Sequence, residues 1–370
     1  MNLDELVRNK RIIVCCGAGG VGKTTTSAAL ALSAAKAGRR ALVLTIDPAR
    51  RLAQALGIPP TGKEPVRIDP SLLANASIDV PEGGELHAWM LDPQVVLESV
   101  VDRFAPSKED AAKIRSTRLY QALMNVITGL QEYTAAEALY NFNESGTYDL
   151  IILDTPPSRN ALDFLDAPRR LARFLDERTL SIFAPDPEKR AGAMIRAASK
   201  VVNTAISKTF GESFAEELQN FLGAFGKLFQ KMRIHASGVR KLLRSDQAAF
   251  IVIASPDEAA LTEAKYFKGR IKDLGLVSEG FILNRSYASD QATESPQDIT
   301  ASGDLADALA KLTPFAKLEE QRIVSDRALF ADLEKEGMQD GGRGATALPL
   351  LDEVVEDLPA LDILSGHILR

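Results

Sequence analysis

The chain has 370 residues, of which 45% are hydrophobic, and this is enough apolar material for a large α/β core. Its net charge of −6 argues against non-specific DNA binding, because such binding needs a basic surface. The chain has only two cysteines, which are adjacent, so we expect no structural zinc site. It has neither a signal-peptide pattern nor a run of ~18 apolar residues, so we expect a cytoplasmic protein without a membrane span.

Short apolar segments recur along the chain with helical stretches between them. We predict strands at Arg11–Cys16, Ala41–Ile46, Leu86–Leu91, Tyr148–Asp154, Phe250–Ala254, Gly280–Asn284 and Thr346–Leu350. Most of these segments are uniformly apolar rather than alternating, which is typical of strands that are buried on both faces of a parallel sheet. The alternation of strands and helices predicts a doubly wound, mainly parallel α/β sheet in a single domain of residues 1–370.

Residues 185–244 depart from this rhythm, because the segment is predicted to be helical throughout. Its apolar residues recur three, four or seven positions apart and form a stripe on one helix face. They are Ile195, Val202, Ile206, Phe210, Phe214, Leu218, Phe221, Phe225, Leu228 and Met232. We expect Gly211, Gly223 and Gly226 to weaken or divide the helix. The stripe predicts a helical insertion, which either forms a groove for an apolar client helix or packs on the sheet or on a second subunit.

A glycine-rich segment follows the first predicted strand and precedes a predicted helix. It consists of Gly17, Ala18, Gly19, Gly20, Val21, Gly22, Lys23 and Thr24, with Thr25 next. The glycines let the backbone curl so that its N–H groups point at phosphate, and the following helix adds its positive N-terminal end. Lys23 can reach the β- and γ-phosphates, and the Thr24 hydroxyl can ligate Mg²⁺. The segment therefore predicts a P-loop that binds Mg·ATP.

Two aspartates end strands that we expect beside the P-loop. Asp154 ends the strand Tyr148–Asp154, a position typical of a Walker B carboxylate that holds Mg²⁺ directly or through water. Asp47 ends the second strand, and ligands bind at the carboxyl ends of strands in such sheets. A carboxylate there could orient and deprotonate the attacking water, so Asp47 and Lys23 are the predicted catalytic residues. Each aspartate could instead only stabilise the turn that follows it.

Together these motifs resemble the deviant Walker A class of P-loop NTPases, and within it the ATPases of arsenite pumps and of tail-anchored membrane-protein targeting. The matching residues are Gly19-Gly20-Val21-Gly22-Lys23-Thr24-Thr25, Thr45-Ile46-Asp47-Pro48-Ala49 and Asp154-Thr155-Pro156-Pro157, with weaker matches at Leu86–Leu91, Phe281-Ile282-Leu283-Asn284 and Leu348-Pro349-Leu350-Leu351. The resemblance implies a SIMIBI-type ATPase in which Asp47 belongs to switch I and Asp154 begins switch II. It also implies that Asn284 contacts adenine, with Pro349 and Leu350 packing near the base.

The resemblance further implies a dimer that ATP closes and hydrolysis opens, with the helical insertion meeting a client or pump. This sequence departs from the family at Ala18, where a lysine usually crosses to the phosphates of the other subunit. We hypothesise a heterodimer with a lysine-bearing paralogue. Alternatively, Arg50 or Arg51 replaces that lysine, or the two form a solvated basic pair. The Cys-x-x-Cys zinc site of targeting factors and the arsenite-binding cysteines of pump ATPases are also absent from the sequence.

Three other functions fit the sequence less well. A membrane- or nucleoid-positioning ATPase of the ParA or MinD type would need a basic helix or surface, whereas the segment Asp352–Arg370 is acidic. A redox ATPase of the nitrogenase-reductase type would need interface cysteines for an iron–sulfur cluster. A small-molecule kinase would need an acceptor pocket. We therefore expect an ATP-driven switch that engages a protein partner, such as an apolar helical client or a membrane protein, and no nucleic acid.

Overall fold

A computed structural model describes residues 1–46, 51–59, 64–105, 107–117, 120, 128–156, 201–202, 204–209, 211–289, 302 and 304–369. The chain divides into two compact units. The sheet unit comprises Met1–Met90, Ser145–Ala161 and Leu243–Arg370, and the helical unit comprises Leu91–Glu144 and Leu162–Leu242. The predicted insertion at 185–244 falls almost entirely in the helical unit, although its residues 185–200 lie outside the described part. A single domain that carries an insertion stays a prediction.

Among the described residues, eight strands form one sheet. They are β1 Ile12–Gly17, β2 Arg40–Thr45, β3 Val66–Arg67, β4 Glu85–Met90, β5 Leu150–Asp154, β6 Ala248–Ala254, β7 Ser278–Ser286 and β8 Ala345–Pro349. The spatial order is β3-β4-β2-β5-β1-β6-β7-β8, and every pair is parallel except β3–β4. The predicted α/β fold with a mainly parallel sheet is confirmed. The sequence did not reveal β3, because two residues make no apolar run.

Helices flank the sheet and form the helical unit. In chain order they are α1 Leu3–Asn9, α2 Lys23–Lys36, α3 Arg51–Leu56, α4 Pro70–Asn75, α5 Pro93–Phe104, α6 Lys108–Ser116, α7 Thr128–Ser145, α8 Glu212–Leu243, α9 Glu258–Asp273, α10 Asp304–Gly337 and α11 Leu358–Ile368. Every residue of β1, β5 and β6 is buried, so both faces of these central strands are covered. No helix in the described ranges is both long enough and apolar enough to cross a membrane.

The C-terminal helix α11 packs on α2, the helix that follows the glycine-rich loop. Lys36 Nζ and Asp362 Oδ1 are 2.6 Å apart, and Ser33 Oγ donates to the Ser365 carbonyl at 3.3 Å. Leu361 and Leu364 of α11 belong to the same buried core cluster as the apolar residues of α2. These contacts fix α2, and therefore fix the loop from which it starts.

In the helical unit, α8 runs without a break from Glu212 to Leu243. Gly223 and Gly226 do not divide it, because a glycine costs only about 1 kcal/mol in a helix and the rest of this long helix outweighs that cost. That they weaken the helix stays a prediction. Gly211 does end the preceding helical residues, since it has a φ of 94° immediately before α8. Within the predicted apolar stripe, Phe221 is buried. At Phe221 this burial favours the interpretation that the stripe packs within the protein, while the groove for an apolar client helix stays a prediction.

Replacing Leu361 with alanine tests the packing of α11 on α2. Leu361 is fully buried, so we expect Leu361→Ala to lower the free energy of unfolding by about 2–4 kcal/mol. Ile363→Ala, on the same helix but 57% exposed, is the matched control and should change it by less than about 0.5 kcal/mol. Urea unfolding followed by the fluorescence of Trp89, the single tryptophan and a residue of β4, measures both. Equal effects of the two substitutions would contradict the packing.

Candidate functional site

The loop between β1 and α2 adopts a backbone that favours glycine. Gly20 has a φ of 83° and Gly22 a φ of 87°, values that are costly for residues with a Cβ atom. Gly22 is the N-cap of α2, and its conformation turns the chain into the helix without a side-chain cap. The first N–H groups of α2 therefore face the loop without intrahelical partners, which makes this end of the helix suited to an anion.

The Lys23 side chain folds back over this loop. Its Nζ donates a hydrogen bond to the Ala18 carbonyl at 2.6 Å, and the residue is only 6% exposed. The ammonium group is thus held against the backbone of the loop. A cation on a loop that also offers the first N–H groups of α2 matches the charge of a polyphosphate, so the residues present fit the triphosphate that the sequence predicts.

The Asp154 carboxylate joins the loop to two strands. Its Oδ2 accepts a hydrogen bond from Thr24 Oγ1 at 2.8 Å and another from Thr45 Oγ1 at 2.9 Å, and the residue is fully buried. Asp154 lies opposite Thr45 of β2 and Cys15 of β1 in the parallel ladders, so these strands end at the same level. The structure therefore brings together Thr24 and Asp154, the two predicted Mg²⁺ ligands. A hydroxyl and a carboxylate are oxygen ligands that Mg²⁺ prefers, so this donor set fits the ion.

Two threonines of this site were missed in the sequence. Thr45 shares the Asp154 carboxylate, and Thr155 donates from Oγ1 to the Cys15 carbonyl at 2.8 Å, which fixes the chain just after β5. Both stand in motifs that carry the family resemblance. Aligning the ends of the predicted strands would have placed Thr45 beside Asp154.

The predicted catalytic Asp47 lies outside the described residues, as do Arg50 and Pro157. Of the basic pair, only Arg51 is described, and it is exposed at the start of α3. The role of Asp47 in activating water therefore stays a prediction.

The predicted adenine contacts lie at the ends of β7 and β8. Asn284 is 4% exposed, and its Nδ2 donates to the Val21 carbonyl of the loop at 2.9 Å. Pro349 ends β8 and pairs with Ser286 of β7, while Leu350 is 42% exposed. Asn284 thus contacts the loop itself, and its contact with adenine stays a prediction, as do those of Pro349 and Leu350.

The two cysteines do not act as a pair of ligands. They are consecutive residues of β1, so their side chains point to opposite faces of the sheet. Cys15 belongs to the buried core cluster on one face of the sheet, whereas Cys16 is not part of that cluster. Complete burial raises the pKa of the Cys15 thiol to about 12 and also raises the pKa of Cys16. Across the described ranges, no three His, Cys, Asp or Glu side chains form a group that could hold a metal.

Substituting the loop glycines tests how tightly β7 holds the loop. A Cβ atom on Gly22 would lie 2.2 Å from Asn284 Nδ2, whereas one on Gly20 would meet nothing within 4 Å. Both alanine variants carry a similar positive φ, so Gly20→Ala should cost about 1–2 kcal/mol of unfolding free energy. Gly22→Ala should cost about 1–3 kcal/mol more, because of the clash. Thermal and urea unfolding without nucleotide measure both values.

A double variant then isolates the clash. Adding Asn284→Ala to Gly22→Ala should recover most of the extra loss, although Asn284→Ala alone removes a hydrogen bond. If Gly20→Ala and Gly22→Ala destabilise equally, Asn284 does not constrain the loop.

The sequence matches the anion-transporting ATPase family over residues 10–302. It is 25% identical over 288 residues to putative arsenical pump-driving ATPase 2 of Aquifex aeolicus, covering 78% of this chain and 82% of that protein. It is 25% identical to ATPase get3 of Schizosaccharomyces japonicus, covering 80% and 81% of the two chains. An uncharacterized protein of Streptomyces coelicolor is 31% identical, and the match covers 80% of this chain and 66% of that protein.

These similarities confirm the resemblance to arsenite-pump and targeting ATPases that the motifs indicated. They also confirm the predicted class of enzyme, an ATPase. The deviant Walker A assignment stays a prediction. Because the family match spans most of the chain and includes the loop, β2 and β5, the chain belongs to the anion-transporting ATPase family.

Proposed function

We propose that the chain binds and hydrolyses Mg·ATP in a dimer whose opening and closing drives its contact with a protein partner. The observation that supports this most directly is the hydrogen-bonded group of Thr24, Thr45 and Asp154 beside Lys23. It joins the phosphate-binding loop to the ends of two parallel strands, so that a ligand at the loop can alter the segments that follow both strands. The names of the relatives, which include pump-driving ATPases, favour a function of this kind.

Each residue of the site then has a defined role. The N–H groups of the loop and of α2 bind the phosphate oxygens, and Lys23 exchanges the Ala18 carbonyl for phosphate. Thr24 and Asp154 would hold Mg²⁺, and the ion would supply positive charge to the phosphates. Thr45 keeps the buried Asp154 carboxylate in place by donating a hydrogen bond. Asp47 orients the attacking water and accepts its proton.

Variants of Lys23 and Asp47 separate binding from hydrolysis. Lys23→Ala should weaken ATP binding at least tenfold, since it removes the cation of the loop. Asp47→Asn should keep ATP affinity within about threefold and lower kcat by roughly 10²–10⁴, because it removes only the base. Isothermal calorimetry and phosphate release measure the two effects. Asp79→Asn, at an exposed residue that precedes β4 and therefore lies near the amino ends of the parallel strands, is the control. Normal affinity in Lys23→Ala and normal turnover in Asp47→Asn would disprove the assignment.

The alanine at position 18 bears on the choice of dimer. A methyl group supplies no charge to the partner's phosphates, and a trans-acting cation of this kind is worth about 10³–10⁵ in rate by analogy with arginine fingers. A homodimer of this chain would lack that cation at both sites. A heterodimer with a lysine-bearing paralogue would complete the site of this chain and leave the other site slow. Arg50 and Arg51 remain the alternative source of charge within this chain.

Restoring the lysine tests this explanation. Ala18→Lys should raise the ATPase turnover of the purified chain at least tenfold, and adding a lysine-bearing paralogue should have a similar effect on the unaltered chain. Ala18→Met, which is similar in length but uncharged, should leave turnover low. Fast hydrolysis by the unaltered chain alone, unaffected by Arg50→Ala and Arg51→Ala, would exclude both sources of the cation.

The position of α11 weakens the case for the membrane-positioning alternative. That alternative requires a C-terminal amphipathic helix whose apolar face is free to enter lipid. In this structure Leu361, Leu364 and Ile368 of α11 are buried in the core of the sheet unit. The helix is therefore part of the fold, and a protein partner remains the better proposal.

A further inference from the structure

The first half of α10 carries three large apolar side chains that are exposed. Leu312 is 58% exposed, Phe315 70% and Leu318 50%. Because they are three residues apart, they lie on one face of the helix. None of the residues 307–322, which we call the α10 arm, is buried. Neighbouring exposed apolar side chains on an otherwise charged helix mark a surface that binds another protein.

The second half of α10 is fixed to the sheet through the same helix face. Asp326 is 6% exposed, and its Oδ2 accepts hydrogen bonds from Ser286 Oγ at 3.1 Å and from the Tyr287 N–H at 2.8 Å. Leu333 is buried as well. Asp326 and Leu333 follow Phe315 by 11 and 18 positions, which are close to three and five whole turns, so all three lie on one face. The face that packs on the sheet thus continues into the α10 arm, where it is exposed.

The α10 arm extends past the end of the sheet that carries the P-loop. At the C-terminal end of α10, Gly337 packs closely against Gly344, just before β8 begins. Asp326 instead lies at the carboxyl end of β7. The helix therefore runs antiparallel to β7, and the residues before Asp326 lie past the carboxyl ends of the strands. The P-loop follows β1 at this same end, and the arm spans about 24 Å at 1.5 Å per residue.

The apolar residues of the α10 arm are self-complementary about Phe315. Identical chains pair most often about a two-fold axis, and two helices that such an axis relates side by side run antiparallel. A residue before the axis then lies at the level of the residue that follows the axis by the same number of positions in the other copy. With Phe315 at the axis, Leu312 of one copy meets Leu318 of the other, since each is three positions away.

The charged residues of the arm follow the same order. Lys311 and Glu319 are four positions before and after Phe315. Asp307 and Arg322 are eight positions before it and seven after it, and all four charged side chains are exposed. In the antiparallel pair, each of these positive side chains lies at the level of a negative one in the other copy. This complementarity favours a second copy of the chain as the partner of the arm.

We propose that the α10 arm binds the arm of a second copy of this chain as an antiparallel helix pair with Phe315 at the two-fold axis. The contact needs no nucleotide, so it goes beyond the ATP-dependent dimer proposed above and is separate from a contact with a lysine-bearing paralogue. Two arms of this length bury less than about 1,200 Å² in total, which is the range of weak interfaces. We therefore expect a Kd of roughly 1–100 μM.

Sedimentation of the nucleotide-free, full-length chain over a range of concentrations measures the pairing. Phe315→Ala should weaken self-association at least tenfold, because the side chain at the axis is lost from both copies. Val324→Ala is the matched control, since Val324 is 62% exposed but lies nine positions further, on the opposite face of α10. It should change the Kd less than about twofold. An unaltered chain that stays monomeric would mean that the arm serves another partner, and equal effects of the two substitutions would also overturn the proposal.

Exchanging the charges identifies the partner and the register. One variant, Lys311→Glu with Arg322→Glu, makes the arm acidic, and another, Asp307→Lys with Glu319→Lys, makes it basic. Each variant alone sets like charges against each other and should self-associate at least tenfold more weakly. An equimolar mixture should recover the original affinity within about threefold, because every acidic side chain then meets a basic one. Damage to the helix alone would not be rescued by mixing, so a mixture that stays dissociated contradicts the antiparallel pair.

The pairing of the arms and the proposed function fail in different ways. If the unaltered chain binds no ATP but self-associates through the arm, the proposed function is wrong and the inference about the arm stands. If the chain binds and hydrolyses ATP, but Phe315→Ala and the charge exchanges leave self-association unchanged, only the inference about the arm is wrong.

Discussion

The site depends on one buried carboxylate and the two hydroxyl groups that donate to it. Burying a charged group without partners is costly, and Asp154 is fully buried. Thr24 at the start of α2 and Thr45 at the end of β2 supply the donors. This arrangement requires β5 to lie between β1 and β2, as it does. The order of the central strands and the geometry of the P-loop are therefore parts of one constraint.

The features that could be predicted from the sequence are those that depend on residues close together along the chain. The apolar strands, the glycine-rich loop and Asp154 are each specified by neighbouring residues, so their patterns were sufficient. Thr45 was missed because its role depends on the parallel register between β2 and β5. Asp326 was missed because its partner Ser286 lies 40 residues away along the chain, and no spacing rule connects a residue of a long helix with the end of a distant strand.

The errors in predicting elements have the same origin. β3 has two residues, and pairing with β4 rather than an apolar pattern makes it a strand. In α8, intrinsic propensity predicted that Gly223 and Gly226 weaken or divide the helix, and the helix is not divided because the preference is weak, about 1 kcal/mol per glycine. At Gly211 the same residue type does interrupt the helix, because there the backbone takes a positive φ. Local preferences determined the secondary structure only where no stronger interaction opposed them.

The P-loop is constrained from both of its sides, and this has a consequence for nucleotide binding. On one side, Lys23 Nζ donates to the Ala18 carbonyl and Thr24 Oγ1 donates to Asp154, and these are the side chains that we propose for the phosphates and Mg²⁺. On the other side, Asn284 and Arg285 lie in the bulge where β7 shifts register against β8, and they donate to the Val21 and Gly20 carbonyls, so this bulge contributes to the shape of the loop. Because Asp326 fixes that bulge, α10 is connected to the loop through an unbroken series of hydrogen bonds and one short piece of backbone. A change in the position of α10 would therefore reach the loop at Gly20 and Val21 through the end of β7.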